Sequence, residues 1–508
     1  MRTTRLPRAL GVLIAFLLAA SLAACSGGRD DDGPQRLKIG AAALPASLDP
    51  RKSAPYEALW VGLLYDPLVR RAPDGTFHPG LAESWTFSED NRTLELTLRE
   101  GVTFQDGAPF TAQAVKANLD AAKAGKTNFT NYLSDVESVE VVDDRHVRLT
   151  LAEAAAPILG VLAGEAGMII SPQALSRDDL STNPAGTGPY TLDSFVGSDL
   201  EFTKWDGYWD ADSVVPSGID VTVFIDEPAR VRALWSGQTD VAIIQPNQVE
   251  EVRAAGLEVT GTDTADFWGV IVNTSLPQFA EPKVRQAMML ALDRPAIAQN
   301  VFGEGCVPSA QPFRPDDWAY NPAIDRSPAG AYDPQRARQL LAEAGYPDGF
   351  SFELQTGTMQ TWTQIAEVLQ AQWGEIGLDV HVRPMENVQF TTARRNGEFQ
   401  STVSTYHSAR PDQSDFIKTF YLPGGLFNPG DYELPGVREL LAESSASPDP
   451  EVRKGPMHEL MAEITNDGPP VIPICTPTRY YGYRNTVHNL QVSPLFDSNL
   501  AGVRVDPR

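Results

Sequence analysis

The sequence predicts an α/β fold with mixed sheets, and three observations carry that expectation. Alternating apolar strands and capped helical stretches succeed one another in strand–helix–strand order. Past its N-terminal segment the chain keeps roughly 475 residues, too many for one core and enough for two or three domains. No internal repeat and no long low-complexity linker divides them, so short crossovers are expected between domains.

The chain opens with "MRTTRLPR", three arginines and no acid, followed by an apolar run from Ala9 to Ala24. That run is short of the roughly 20 residues needed to cross a bilayer, and it reads as a secretory signal peptide. The pair Ala23-Ala24 before Cys25 resembles the lipobox of bacterial lipoproteins. The resemblance implies cleavage before Cys25, acylation of its thiol and attachment to the outer face of the cell membrane. The alternative is a plain cleavable signal with a chance cysteine. Residues 1–24 are thus expected to be a lipoprotein signal and residues 25–36, "CSGGRDDDGPQR", a solvated tether.

The elements follow in order. "RLKIGAA" reads as a first strand. In "TLELTLREGVTF" Leu94, Leu96 and Leu98 share one face, and Val147, Leu149 and Leu151 repeat the pattern in "HVRLTL". Between them "TAQAVKANLDAAKAG" predicts a helix opened by Thr111 and closed near Gly125. Asp333, Pro334 and Gly345 mark the start and stop of another helix. A further helix ends at Gly377 and hands over to a strand with Leu378, Val380 and Val382 on one face.

At 42% hydrophobic and 9% aromatic the composition is that of an ordinary globular chain. A net charge of −25 argues against nucleic acid and against broad contact with anionic lipid. With Cys25 set aside, Cys306 and Cys475 remain, and two cysteines in an exported chain can pair. A Cys306–Cys475 disulfide is expected, the alternative being two separately buried thiols. No cofactor or metal is expected: the six histidines are dispersed, and no P-loop, HExxH or GxSxG stands in the chain. "GTGPY", Gly186 to Tyr190, lacks the dinucleotide fingerprint.

The stretch "HPGLAESWTFSEDNRTLELTLREGVTFQDGAPFTAQAV", His78 to Val115, resembles the signature of the family 5 extracellular solute-binding proteins of ABC importers. The likeness continues through "GTGPYTLDSF…TKWDGYWD", "RVRALWSGQTDVA", "VNTSLPQFAEPKVRQAMMLALDR" and "AYDPQRARQLLAEAGYPDGF". It implies a two-lobed clamshell of the periplasmic-binding-protein kind, with an extra subdomain in the first lobe. Lobe I would comprise 37–266 and 485–508, with the insert at about 83–182; lobe II would span 267–484. Both Cys306 and Cys475 then fall in lobe II, which supports their pairing.

The resemblance also suggests cleft residues. Met168 in "GEAGMIIS", Trp268 past the first crossover, and Tyr406, His407 and Arg410 in "STYHSARPDQSDF" are the ligand-binding candidates. Asp412 is expected to be structural. In dipeptide-type members an aspartate lies three positions before the Asp of an Asp-Pro pair and takes the peptide amino group. Here that position is Ala409, and the pair reads Asp412-Gln413. Nickel-type members carry an aromatic where this chain has His407, and their cleft arginine falls at Met168. Arg410 could clamp a ligand carboxylate or stand as a solvated surface residue.

The expected function is that of a monomeric, membrane-anchored subunit. It would capture a small solute, most readily an oligopeptide, by interlobe closure and deliver it to permease subunits. A metal chelate or an opine-like solute is the alternative within this class. A ligand sensor is a second class, and a secreted hydrolase a third, disfavoured by the missing motifs.

Overall fold

The computed structural model describes residues 35–53, 57–72, 74–125, 127, 129–154, 157–408, 411–495 and 500–507. The expected signal, the lipidation site Cys25, most of the tether and Arg410 lie outside the described residues.

The fold is mixed α/β and two-lobed, with strands of both lobes joined in one twelve-stranded sheet. In the first half, Leu37–Ala41 runs parallel to Gly218–Val223 and to Val241–Ile244. The meander through Asp199–Lys204 and Tyr190–Val196 extends that half outward. In the second half, Ser351–Gly357 runs parallel to Asp379–Met385 and to Ser401–His407, which in turn pairs antiparallel with Asp266–Val272.

One strand, Val471–Tyr483, belongs to both halves. Its first part, Val471 to Cys475, pairs with Asp266–Val272; its last part, Tyr480 to Tyr483, pairs with Val241–Ile244. Beside it, Glu258–Asp263 pairs with Thr478 to Tyr483 before the chain turns through Thr264 and Ala265 into the second lobe. The two crossings lie side by side, tied by Thr264 N–H to the Pro477 carbonyl at 2.9 Å. The strand Val471–Tyr483 runs on from one half into the other instead of stopping between them.

A separate four-stranded sheet, 82–151, forms the inserted subdomain. Leu94, Leu96, Leu98, Val147, Leu149 and Leu151 are all buried in its core under the helix Ala112–Lys123. Thr111 caps that helix, accepting from Ala114 N–H, and Gly125 takes φ +88° beyond its end. The hairpin turns at Asp90-Asn91, with Asn91 at φ +53°. Asp333 likewise caps Pro334–Glu343 through Arg336 N–H at 2.8 Å.

Cys306 and Cys475 are joined by a disulfide with Cα atoms 5.6 Å apart. It ties the short strand Cys306–Pro308 to the crossing strand, against which it is already paired. A loop of 169 residues closed this way stabilises by about 5 kcal/mol in the chain-entropy model.

Candidate functional site: the cleft between the lobes

A cavity of about 800 Å³ opens between the lobes, within the range of small-solute sites. One wall is the hairpin after Val69–Arg71, from Asp74 to Phe77, in the first lobe. The opposite wall belongs to the second lobe: the loop Arg314 to Asn321, the helix start at Asp412 and Gln413, and the first turns of Pro450–Asp467. Ala265, at the first crossing, lies at its back. Five acids line it (Asp74, Asp316, Asp317, Asp412, Glu451) against five permanent cations (Arg71, Arg314, Arg326, Arg453, Lys454). The charges balance, so the site favours neither a strong anion nor a strong cation.

Most of these charges hold the wall together. Asp412 caps the helix Gln413–Tyr421 through Ser414 N–H and takes both guanidinium nitrogens of Arg453, at 2.6 and 2.8 Å. Burial alone would raise the Asp412 carboxyl; Arg453 and Ser414 hold it down at about 2. The Arg453 guanidinium also lies over the Trp318 ring, 4.5 Å from its centroid, and donates to the Ser444 carbonyl. Asp412 is thus fixed in the wall by its cap and ion pair while it also lines the cavity. Arg453 was not legible as its partner, since nothing in sequence connects two residues 41 apart.

The candidate ligand residues are distributed over different surroundings. Strand pairing sets Trp268 opposite Thr405 and Tyr406 opposite Phe267. Successive side chains alternate faces, so Trp268 and Tyr406 point to opposite sides of the sheet. Trp268 is 5% exposed and packs edge-on against Trp362; Tyr406 is 3% exposed and packs among Phe267, Phe420 and Phe427. Met168 is buried in the first-lobe core, bridged to Pro67. His407 differs: its side chain is 39% exposed at the strand end nearest the crossing, and Nδ1 is hydrogen-bonded to Asp266 Oδ1. None of these four lines the 800 Å³ cavity. Among the described residues no cluster of three or more metal-ligating side chains occurs.

Residues 76–428 match the bacterial extracellular solute-binding proteins, family 5, middle region. Over 406 residues the chain is 31% identical to the glutathione-binding protein GsiB of Salmonella typhi, covering 77% of this chain and 78% of that one. This chain belongs to family 5. Solved structures share its fold, among them these two. HbpA2 of Haemophilus parasuis superposes with a TM-score of 0.80 at 24% identity, over 93% of this chain and 100% of its own. A dipeptide-binding protein of Pseudoalteromonas sp. SM9913 in complex with Met-Leu does so at 0.79 and 23%, over 93% and 100%. Family 5 proteins are the solute-binding components of ABC importers, and they are not enzymes. Among the described residues no helix is long and apolar enough to cross a membrane.

In this family 5 chain the lobes touch beside the cavity. Arg71 Nη1 donates to the Pro411 carbonyl at 2.8 Å, and Asn91 Nδ2 to that of Ala446 at 2.7 Å. Lys418 Nζ pairs with Asp135 of the inserted subdomain at 2.7 Å. Gly160, in the helix Ile158–Ala163, lets the Pro411 carbonyl approach so closely that a Cβ there would stand 2.5 Å from the oxygen. Alanine at this position favours the helix by about 1 kcal/mol yet forces the lobes apart. Gly160→Ala is therefore expected to leave or raise the unfolding midpoint of the solute-free protein while weakening solute binding at least tenfold. Parallel calorimetry and denaturation would measure both.

Beside this contact, Asp415 Oδ2 is shut off from solvent with no hydrogen-bond partner among the described residues. Burial pushes its carboxyl up to about 7; Lys418 opposes the rise, while Asp412 and Asp135 add to it. A carboxyl raised in the folded state contributes stability that is full below its unfolded pKa and is lost as pH rises through 7. From pH 5 to pH 8 this group is expected to cost about 2–3 kcal/mol of unfolding free energy. Urea unfolding at both pH values should show that loss in the wild type and its absence in Asp415→Asn.

Proposed function

We propose that this chain is the solute-capturing subunit of an ABC importer, held at the membrane by a lipid on Cys25, with an oligopeptide as its solute. The observation that carries the reading is the 800 Å³ cavity walled by both lobes and lined by equal numbers of acids and cations. A short peptide presents both charges and many hydrogen-bonding groups, which such a wall can pair. A solute that touches both walls stabilises the state in which they are close, and closure follows from that difference in affinity. The kinship with a glutathione-binding protein supports a peptide-like solute. His407 and Arg410, which precede Asp412 in the sequence, are proposed as accessory contacts.

The experiment is mass spectrometry of small molecules released when the protein, purified from its own cells, is denatured. Peptides in stoichiometric amount are expected. A single compound without a peptide bond would replace the peptide reading with that compound. Partition of the full chain into the membrane fraction, lost in Cys25→Ala, checks the anchor; an unchanged distribution would remove it.

A further inference from the structure

The helix Gln413–Tyr421 turns one face toward the first lobe. Just ahead of it, the Pro411 carbonyl accepts from Arg71 and lies against Gly160. Farther along, Lys418 Nζ donates to Asp135 Oδ2 of the inserted subdomain at 2.7 Å. Asp415 stands between these two contacts, four residues after Pro411 and three before Lys418, and so shares their face. Its Oδ2 is closed off from solvent and has no hydrogen-bond partner among the described residues.

The charges around this carboxyl do not balance. Its own helix supplies Lys418 and, at the cap, Asp412, whose carboxylate is already taken by Arg453 from the helix Pro450–Asp467. The first lobe supplies Asp135. Asp135 and Asp415 thus meet a single ammonium at the boundary between the lobes, and Asp135 holds its hydrogen bond. An ionised Asp415 must lie there buried, unbonded and close to a second carboxylate. Parting the lobes takes Asp135 away and admits water to this face, which returns the carboxyl toward its ordinary range. With the lobes together, burial holds it up at about 7.

We propose that Asp415 is a proton-operated latch on closure: the lobes come together with a proton on this carboxyl and part when it is lost. The proposal rests on the solute-capture reading, in which closure is the capturing movement, and adds control by pH to it. A carboxyl that binds its proton more tightly in the closed state favours that state fully below its open-state pKa. The advantage is lost as pH rises through 7. Lys418 stays charged over this range, since Asp415 and Asp135 raise its own pKa against the effect of burial.

The test needs no solute, so its failure leaves the solute-capture reading standing. In the full chain carrying Cys25→Ala, dyes are attached at Gln113→Cys, exposed on the helix of the insert, and at Glu439→Cys, exposed on the second lobe. Energy transfer between them is followed from pH 5 to pH 8.5 after cargo has been removed by dialysis from denaturant. The ratio of closed to open molecules is expected to be at least tenfold higher at pH 5.5 than at pH 8, levelling off above about 7. Asp415→Asn, a neutral stand-in for the protonated acid, should be at least as closed at pH 8 as the parent at pH 5.5, with less than a twofold change between them. Asp135→Asn, which removes the opposing acid, should shrink the parent's pH response. Energy transfer in the parent that does not change with pH would overturn the latch. So would a folded Asp415→Asn that responds to pH as the parent does. If that variant does not fold, an undiminished response in Asp135→Asn overturns it instead.

Discussion

The two lobes depend on one backbone constraint: the strand Val471–Tyr483 cannot end where a lobe ends. It is hydrogen-bonded to Asp266–Val272 in one lobe and to Val241–Ile244 and Glu258–Asp263 in the other. Its partners change between Cys475 and Thr478, where Pro477 has no N–H to give to either ladder. Proline in a central strand ordinarily argues against the assignment. Here Pro473 sits by the register shift at Trp268/Gly269 and Pro477 at the change of partner, both places where a ladder bond is already interrupted. The lobes are thus joined by a two-stranded ribbon, and such a ribbon twists at little cost in hydrogen bonds. The disulfide lies at the same place and fastens the crossing to the second lobe.

Buried arginines complete the frame in a way composition could not reveal. Arg230, Arg285 and Arg294 each donate to backbone carbonyls of segments distant in sequence or at chain turns. Arg294 reaches the Pro473 carbonyl in the crossing strand at 2.9 Å, and burial brings its pKa down to about 10. The fixed fork of five donors satisfies carbonyls that helix ends and bulges leave open, which a lysine ammonium does less well. Abundant arginine in this chain therefore has a structural use.

The periodic and capped elements were legible because their causes are local. Leu94, Leu96 and Leu98 alternate within six residues, and Thr111, Asp333 and Gly125 act on the turn beside them. The cleft was less legible because its causes are not local. Trp268 and Tyr406 both stand on strands that border the crossing, yet the pleat sends them to opposite cores, and only the register with Thr405 and Phe267 reveals it. Asp317 sits in "PFRPDDWAY", where two adjacent acids look equivalent. Arg314 takes Asp316, while Asp317 accepts from Ala319 N–H and Gln413 Nε2. Family resemblance carries the architecture and points to the 404–416 loop. The cavity wall draws mainly on 314–326 and 448–458, segments that carry no motif.

Among the described residues, the side-chain contacts that join the lobes beside the cavity are polar. Lys418 and Asp135 are each 39% exposed, so solvent and salt screen their attraction to about 0–1 kcal/mol. The hydrogen bonds from Arg71 and Asn91 add a net of about 1 kcal/mol each. The Gly160–Pro411 approach is backbone against backbone. These terms are comparable with the entropy lost when two lobes stop moving relative to one another, so by themselves they leave closure near balance. A solute with a few good bonds to each wall is then enough to decide it.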